Sequence, residues 1–133
     1  MPMRPFESGA FAAAPLDLAN VDTDQIIPAR FLKRPRDARY PEYLFHDLRR
    51  DADGAQDPAF VLNRAPWQDA EVLVADRNFG CGSSREAAVY ALASAGFRAV
   101  IAPSFGDIFY SNAMKNGFLP IRLPTEVCEK LRQ

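Results

Sequence analysis

Apolar runs and helix-spaced apolar positions alternate through the second half of the chain, and they predict alternating strands and helices. Residues 71–75, with Val72, Leu73, Val74 and Ala75 in succession, read as a buried strand. An Ala-rich segment over 84–95 follows and is closed by Gly96, the pattern of a helix with a C-terminal glycine. Residues 98–102 form a second apolar run, bounded by Pro103. A further helix is predicted over 105–115, ending at Asn116-Gly117, with Ser104 and Asp107 at capping-box spacing. A third strand is predicted over 118–123, where Pro120 assigns it to a sheet edge or a bulge. Thr125 stands as the cap of a last short helix reaching Leu131. This alternation implies an α/β fold with a parallel sheet and a βαβαβ unit in the second half. Right-handed crossovers then gather the loops after the strands on one edge, where such sheets bind ligands.

The first half is less regular. Residues 1–14 read as a loose N-terminal lead-in containing an alanine run. Residues 21–27 mix turn-forming and apolar residues and predict a turn leading into a short strand or helix. Within them, Asp22 and Asp24 flank Thr23 in a pattern that favours side-chain-to-backbone hydrogen bonds over metal binding. Residues 30–57 are charged, carry Pro35 and Pro41, and keep no clean period. They predict a long loop with one amphipathic turn around Tyr43, Leu44, Phe45 and Leu48, and a long loop in a compact domain is commonly functional. No internal repeat is visible.

Composition narrows the function classes. A chain of 133 residues fits one domain over 1–133, large enough for a core but short for a complete enzyme with its own cleft. A formal net charge of −1 gives no electrostatic case for nucleic acid or an anionic membrane surface. No apolar run reaches the length of a membrane span, and the N-terminal residues lack a signal-peptide pattern. The 2 cysteines, Cys81 and Cys128, are too few for a disulfide framework, so a reduced, cytoplasmic chain is expected.

Chemistry concentrates in Asn78-Phe79-Gly80-Cys81-Gly82-Ser83-Ser84-Arg85-Glu86, at the predicted strand-to-helix turn. Glycines let backbone N–H groups approach a bound group, and a helix N-terminus carries unpaired donors and partial positive charge suited to an anion. Arg85 adds a planar fork that matches a carboxylate or phosphate. The hydroxyls of Ser83 and Ser84 stand beside that anion. Ser83 and Glu86 also have capping-box spacing, a structural role compatible with facing a ligand. The loop lacks the lysine of a phosphate-binding P-loop, and Arg85 occupies the third small position of a dinucleotide fingerprint. A carboxylate-bearing small molecule is the ligand these residues fit.

The same stretch resembles the small-subunit family of 3-isopropylmalate dehydratases, the swivel domain of the aconitase superfamily. Two further motifs stand in the family's order. Upstream are Asn20-Val21-Asp22-Thr23-Asp24-Gln25-Ile26-Ile27-Pro28 and Phe31-Leu32; downstream are Ile101-Ala102-Pro103-Ser104-Phe105 and Asp107-Ile108-Phe109. The resemblance covers about residues 15–123 and implies a swivelling β/β/α aconitase C-terminal-like domain.

By this resemblance Ser83 is the base that removes a proton next to a carboxylate. Ser84, with Gly82, holds the substrate or intermediate, and Arg85 clamps a substrate carboxylate. A lone serine hydroxyl is a weak base, so its environment must stabilise the alkoxide. The implied reaction is reversible loss and gain of water, moving a hydroxyl between adjacent carbons of a malate-type diacid in leucine biosynthesis. In the family a [4Fe-4S] cluster assists the leaving hydroxyl. Such clusters are held by several thiolates, which Cys81 and Cys128 do not supply, so no cofactor is expected on this chain. The cluster is expected on a large-subunit partner, with the active site formed where the two chains meet. Cys81 reads as a small residue in a tight turn, and Cys128 as a packed residue of a terminal helix.

The resemblance assigns substrate choice to the loop after Pro28. Phe31 and Leu32 are positioned to flank an apolar group and Arg30 or Lys33 to meet a carboxylate; each reads equally as a core residue or a solvated charge. His46, the only histidine, reads as a surface or interface residue. The chain departs from the family in two ways. Ala87 follows Ser-Arg-Glu where the family usually has histidine. The chain also stops at Gln133, which is expected of a truncated or short form. Two alternatives remain: a small subunit of a homoaconitase-type or methylmalate/citraconate hydratase, and a non-catalytic α/β module that binds an anion.

Overall fold

The computed structural model describes residues 12–83 and 85–133. Four short strands form one parallel sheet: β1 Ala13–Pro15, β2 Val72–Val74, β3 Ala99–Ala102 and β4 Leu119–Arg122, in the spatial order β1-β2-β3-β4. Val72, Leu73 and Val74 are all buried, which explains why β2 is an unbroken apolar run rather than an alternating one. Each outer strand carries a proline, Pro15 in β1 and Pro120 in β4, where a missing N–H costs no ladder bond. The edge position predicted for Pro120 is therefore present. Ala13 and Ala14, read from the sequence as the end of a lead-in, are instead part of a strand. Their alanines carry no period-2 signal, and pairing with Leu73 and its neighbours supplies the order. The rest of the predicted lead-in, through residue 11, lies outside the described residues.

Helices α3 (Glu86–Ser94) and α4 (Asp107–Lys115) complete the predicted βαβαβ unit and pack against each other. Ala88, Val89, Ala91 and Leu92 bury one stripe of α3, and Phe109, Asn112 and Ala113 one stripe of α4, at i, i+3, i+4 spacing. The small alanines of α3 let its backbone lie close to α4. Gly96, at φ +98°, ends α3 as the sequence predicts. After β4, α5 (Thr125–Leu131) packs back on β3, with Cys128 fully buried and Arg132 Nη1 donating to Ala75 O at 2.7 Å. Thr125 does not cap α5; it is the first helical residue, after Pro124.

The long connection from β1 to β2 holds α1 (Thr23–Ile26), α2 (His46–Arg49) and several 3-10 turns, including Ala29–Phe31 and Tyr40–Tyr43. The predicted loop over 30–57 is thus turn-rich and anchored. Leu44 and Phe45 are buried in the core, and Phe45 N–H donates to Ile26 O at 2.7 Å. Among the described residues no helix is long and apolar enough to cross a membrane.

Candidate active site

The glycine-rich loop leaves β2 at its C-terminal end and is clamped between the loops that follow β1 and β3. Phe79 N–H donates to Ser104 O at 3.1 Å and Phe79 O accepts from Gly106 N–H at 2.9 Å. On the other side Gly80 N–H donates to Val21 O at 2.7 Å, and Thr23 N–H to Cys81 O at 2.8 Å. These contacts extend the sheet order beyond the strands, as isolated parallel bridges Asp22–Cys81 and Phe79–Phe105. Beneath the loop, Phe105 stacks on Phe109 and Phe79 packs edge-to-face against both, at centroid distances of 5.4 to 6.4 Å. Burying each ring contributes about 1.5–3 kcal/mol, and each ring pair about 0.5–1.5 kcal/mol more. The loop is therefore built on a rigid floor.

Gly80 is required by that floor. Its φ is +80°, and a Cβ on it would land on the Phe109 ring. Asn78, at φ +59°, makes the preceding turn; its N–H donates to Ser104 Oγ at 2.8 Å and its Nδ2 to Asn20 Oδ1 at 2.9 Å. Asparagine tolerates this left-handed region because its short amide bonds locally. Ser104 is thus drawn away from the capping box predicted with Asp107: Gly106 occupies the N-cap of α4, with no side-chain cap. The Ser83–Glu86 box is also not formed. Arg85 occupies the N-cap of α3 without a side-chain cap, and Glu86 instead accepts from Tyr90 OH. A capping box does form at α1, where Asp22 Oδ1 accepts from Gln25 N–H at 2.7 Å and Gln25 Oε1 from Asp22 N–H at 3.0 Å.

Gly82 and Ser83 lie exposed on this platform, and Ser84 lies outside the described residues. The Ser83 carbonyl accepts from Thr23 Oγ1 at 2.9 Å. Arg85, with its side chain 17% exposed, donates from Nη1 to Asp24 Oδ1 at 3.1 Å and to Ile27 O at 3.3 Å. Asp24 Oδ1 also accepts from Ala29 N–H at 3.0 Å, so one carboxylate oxygen joins Arg85 to the turn carrying Arg30, Phe31 and Leu32. Asp22 and Asp24 thus make the side-chain-to-backbone bonds expected of them. The sequence did not reveal Thr23 and Asp24 as supports of Ser83 and Arg85, since such pairings 60 and 61 positions apart leave no local signal.

Around the second cluster, Phe31 stacks on Tyr43 at 4.5 Å and tilts against His46 at 4.8 Å. Arg30 lies over the Phe31 ring at 4.7 Å and engages Asp47 through both terminal nitrogens, Nη1 to Oδ2 at 3.0 Å. His46 Nδ1 is 3.1 Å from Asp47 Oδ1. The Arg30 hydrogen bonds hold the Asp47 carboxyl at about 2, below the usual range, with His46 adding to the effect. Leu32 is exposed, and Ala87 is half-buried against the core. Desolvation first, and the charge of Asp22 second, push the Cys81 thiol up, which keeps it protonated and a poor nucleophile.

No group of three His, Cys, Asp or Glu side chains able to hold a metal converges among the described residues. Cys81 in the loop and Cys128 on the buried face of α5 do not provide the thiolates of a [4Fe-4S] cluster, so the residues present do not fit that group. Grooves of about 990 and 230 Å³ are lined without Ser83 or Arg85, and Gly82 and Ser83 face outward from the loop.

The parallel α/β sheet carries its arginine-bearing, glycine-rich loop at the C-terminal ends of its strands, the edge where such sheets bind ligands. The chain belongs to the aconitase C-terminal domain family, whose model matches residues 3–126. It is 58% identical over 119 residues to the 3-isopropylmalate dehydratase small subunit of Granulibacter bethesdensis, covering 90% of this chain and 57% of that relative. The protein of the same name from Anoxybacillus flavithermus is 56% identical over 124 residues, covering 93% and 64%. A crystal structure of 3-isopropylmalate dehydratase from Methanocaldococcus jannaschii matches with a TM-score of 0.66 and 37% identity, covering 87% of this chain and 62% of that one. The chain thus spans roughly six tenths of the length of these relatives.

Proposed function

We propose that this chain supplies the small-subunit half of a 3-isopropylmalate dehydratase, interconverting 2- and 3-isopropylmalate by reversible loss and gain of water. The observation that carries the reading is the exposed Ser83 on a rigid loop, with Arg85 two positions on at the uncapped start of α3. The similarity to relatives bearing that name supports the choice of diacid.

In this mechanism Arg85 binds a substrate carboxylate through its fork, and Ser84 and Gly82 hold the diacid against the loop. Ser83, as alkoxide, takes the proton from the carbon next to a carboxylate. The electron pair left behind forms the double bond as the C–O bond on the adjacent carbon breaks and the hydroxyl departs. Re-addition of the hydroxyl at the carbon that lost the proton, with Ser83 returning its proton to the carbon that lost the hydroxyl, completes the shift. Donors at the start of α3 and the Arg85 charge favour the anionic serine. Phe31 and Leu32 flank the substrate's apolar side group, and Arg30 meets a carboxylate. The proposal assigns the [4Fe-4S] cluster to a large subunit, the open face of the loop being completed by that partner in the cytoplasm.

The test is an anaerobic assay of isopropylmalate hydration and dehydration, by this chain alone and mixed with a cluster-loaded large subunit. Activity confined to the mixture, and lost in Ser83→Ala with complex formation retained, is the expected result. Turnover by Ser83→Ala at most of the parent rate removes Ser83 as the base. Anion binding without complex or turnover returns the chain to a binding module.

A further inference from the structure

The carboxylate of Asp24 stands between the two parts of the site. Its Oδ1 accepts from Arg85 Nη1 at 3.1 Å and from Ala29 N–H at 3.0 Å. The aspartate is 63% exposed while Arg85 is 17% exposed, so the pair lies at the lip of the site, with the arginine the better shielded member. Among the described residues both hydrogen bonds of Arg85 use the same nitrogen, Nη1, which leaves the rest of the fork to a substrate carboxylate. Ala29 opens the turn Ala29–Phe31, and the far side of that turn is fixed by the Arg30–Asp47 pair and the Phe31–Tyr43 stack. The turn's near end depends on the Ala29 N–H bond, an anchor that the charge of Arg85 helps to orient.

We propose that Asp24 is a positioning residue that ties the carboxylate clamp Arg85 to the 29–32 turn, so that preference for a branched side group depends on this one carboxylate. The inference rests on the dehydratase reading for Arg85 and the turn. Asp24 touches no reacting atom. When the clamp fills, the same carboxylate keeps the turn at a fixed distance from the bound diacid, and a side group of the wrong size pays for its misfit at the turn. Without the tie, the turn relaxes around smaller diacids.

The experiment compares the parent chain, Asp24→Ala and Asp24→Asn, each in complex with a cluster-loaded large subunit. It reads kcat/KM for isopropylmalate against that for methylmalate. Asp24→Ala is expected to lower the ratio by about tenfold, the loss of one charge-assisted hydrogen bond. Asp24→Asn, whose amide oxygen still accepts from Ala29 N–H, is expected to recover most of it. A ratio unchanged in Asp24→Ala overturns the proposal, whatever happens to the absolute rates, because a merely structural loss lowers both diacids alike. Should the parent complex turn over neither diacid, the dehydratase reading falls and amide exchange in this chain decides the tie. Arg85→Ala is then expected to speed exchange at Ala29 N–H about tenfold while Phe45 N–H, held by Ile26 O, keeps its rate. Unaltered exchange at Ala29 overturns it.

Discussion

Thr23 donates its hydroxyl hydrogen to the carbonyl oxygen of Ser83 at 2.9 Å, although the two residues stand 60 positions apart. Thr23 is 3% exposed, and its own N–H holds Cys81 O, so one residue pins two points of the glycine-rich loop. Val at position 23 keeps the shape and the main-chain bond but removes the hydroxyl. Thr23→Val is expected to cost about 1–2 kcal/mol of stability, one hydrogen bond plus a less well satisfied carbonyl. Because the lost bond holds the residue proposed as the base, kcat in the assembled enzyme should fall more than KM changes. Urea unfolding and steady-state kinetics on the same preparation check both expectations; a variant that loses stability but keeps kcat removes the link between Thr23 and Ser83.

The left-handed turn at Gly80 gives a contrast that separates strain from crowding. Gly80 and Gly54 have φ of +80° and +85°, yet a Cβ at Gly80 meets the Phe109 ring while one at Gly54 meets nothing within 4 Å. Gly54→Ala should cost about 1 kcal/mol, from backbone strain alone. Gly80→Ala should cost about 2–4 kcal/mol, since overpacking against a buried ring is added. Urea midpoints measure the difference, and equal shifts would show that Phe109 yields to the new methyl group.

How far the fold was readable follows from where its information is stored. The β2, α3, β3 and α4 segments were legible because their burial is continuous or helically periodic, and Val72 to Val74 or Ala88 to Leu92 write that burial into adjacent letters. β1 was not, because Ala13 and Ala14 gain their strand geometry only by pairing with Val72 and Leu73. The capping boxes show the same divide. Asp22 and Gln25 close theirs, whereas Ser104 turns to Asn78 N–H, 26 residues away, and Glu86 turns to Tyr90. Spacing offers a local partner, and tertiary geometry decides whether it is taken. Gly82, Ser83 and Arg85 were named as candidates from the loop pattern, but Thr23 and Asp24, which hold Ser83 and Arg85, lie in the other half of the chain.

The two thiols are expected to separate in reactivity. Cys81 is half-buried and its thiol is pushed up by desolvation and by Asp22; Cys128 is fully buried, and burial pushes it up as well. At pH 8 each therefore carries less thiolate than a free thiol, and iodoacetamide should label Cys81 more slowly than a small-molecule thiol. The Cys81 rate should keep climbing with pH beyond the point where a free thiol levels off, because its thiol is raised. Cys128 should be labelled only on unfolding. Rapid labelling of Cys81 at pH 7 would mean a thiolate-stabilising environment, contrary to the one its neighbours create.

Asp47 makes stability depend on acid in a stated window. Arg30 holds its carboxyl at about 2, below its ordinary 3.8, so the folded chain binds this proton less readily than the unfolded one. The pair's contribution is then complete above the ordinary value and is lost as pH falls through about 2. Arg30 and Asp47 are 54% and 56% exposed, so solvent screening limits the gain to about 0–1 kcal/mol, toward the upper end because the contact is two-pronged. Asp47→Asn should therefore be less stable than the parent at pH 7 and at about pH 5 alike. That gap should narrow as the pH approaches 2, and 1 M salt should shrink it at neutral pH. Urea unfolding at several pH values measures it. A gap that persists undiminished at low pH would assign the loss to the packing of the His46–Phe31 cluster rather than to the charge on Asp47.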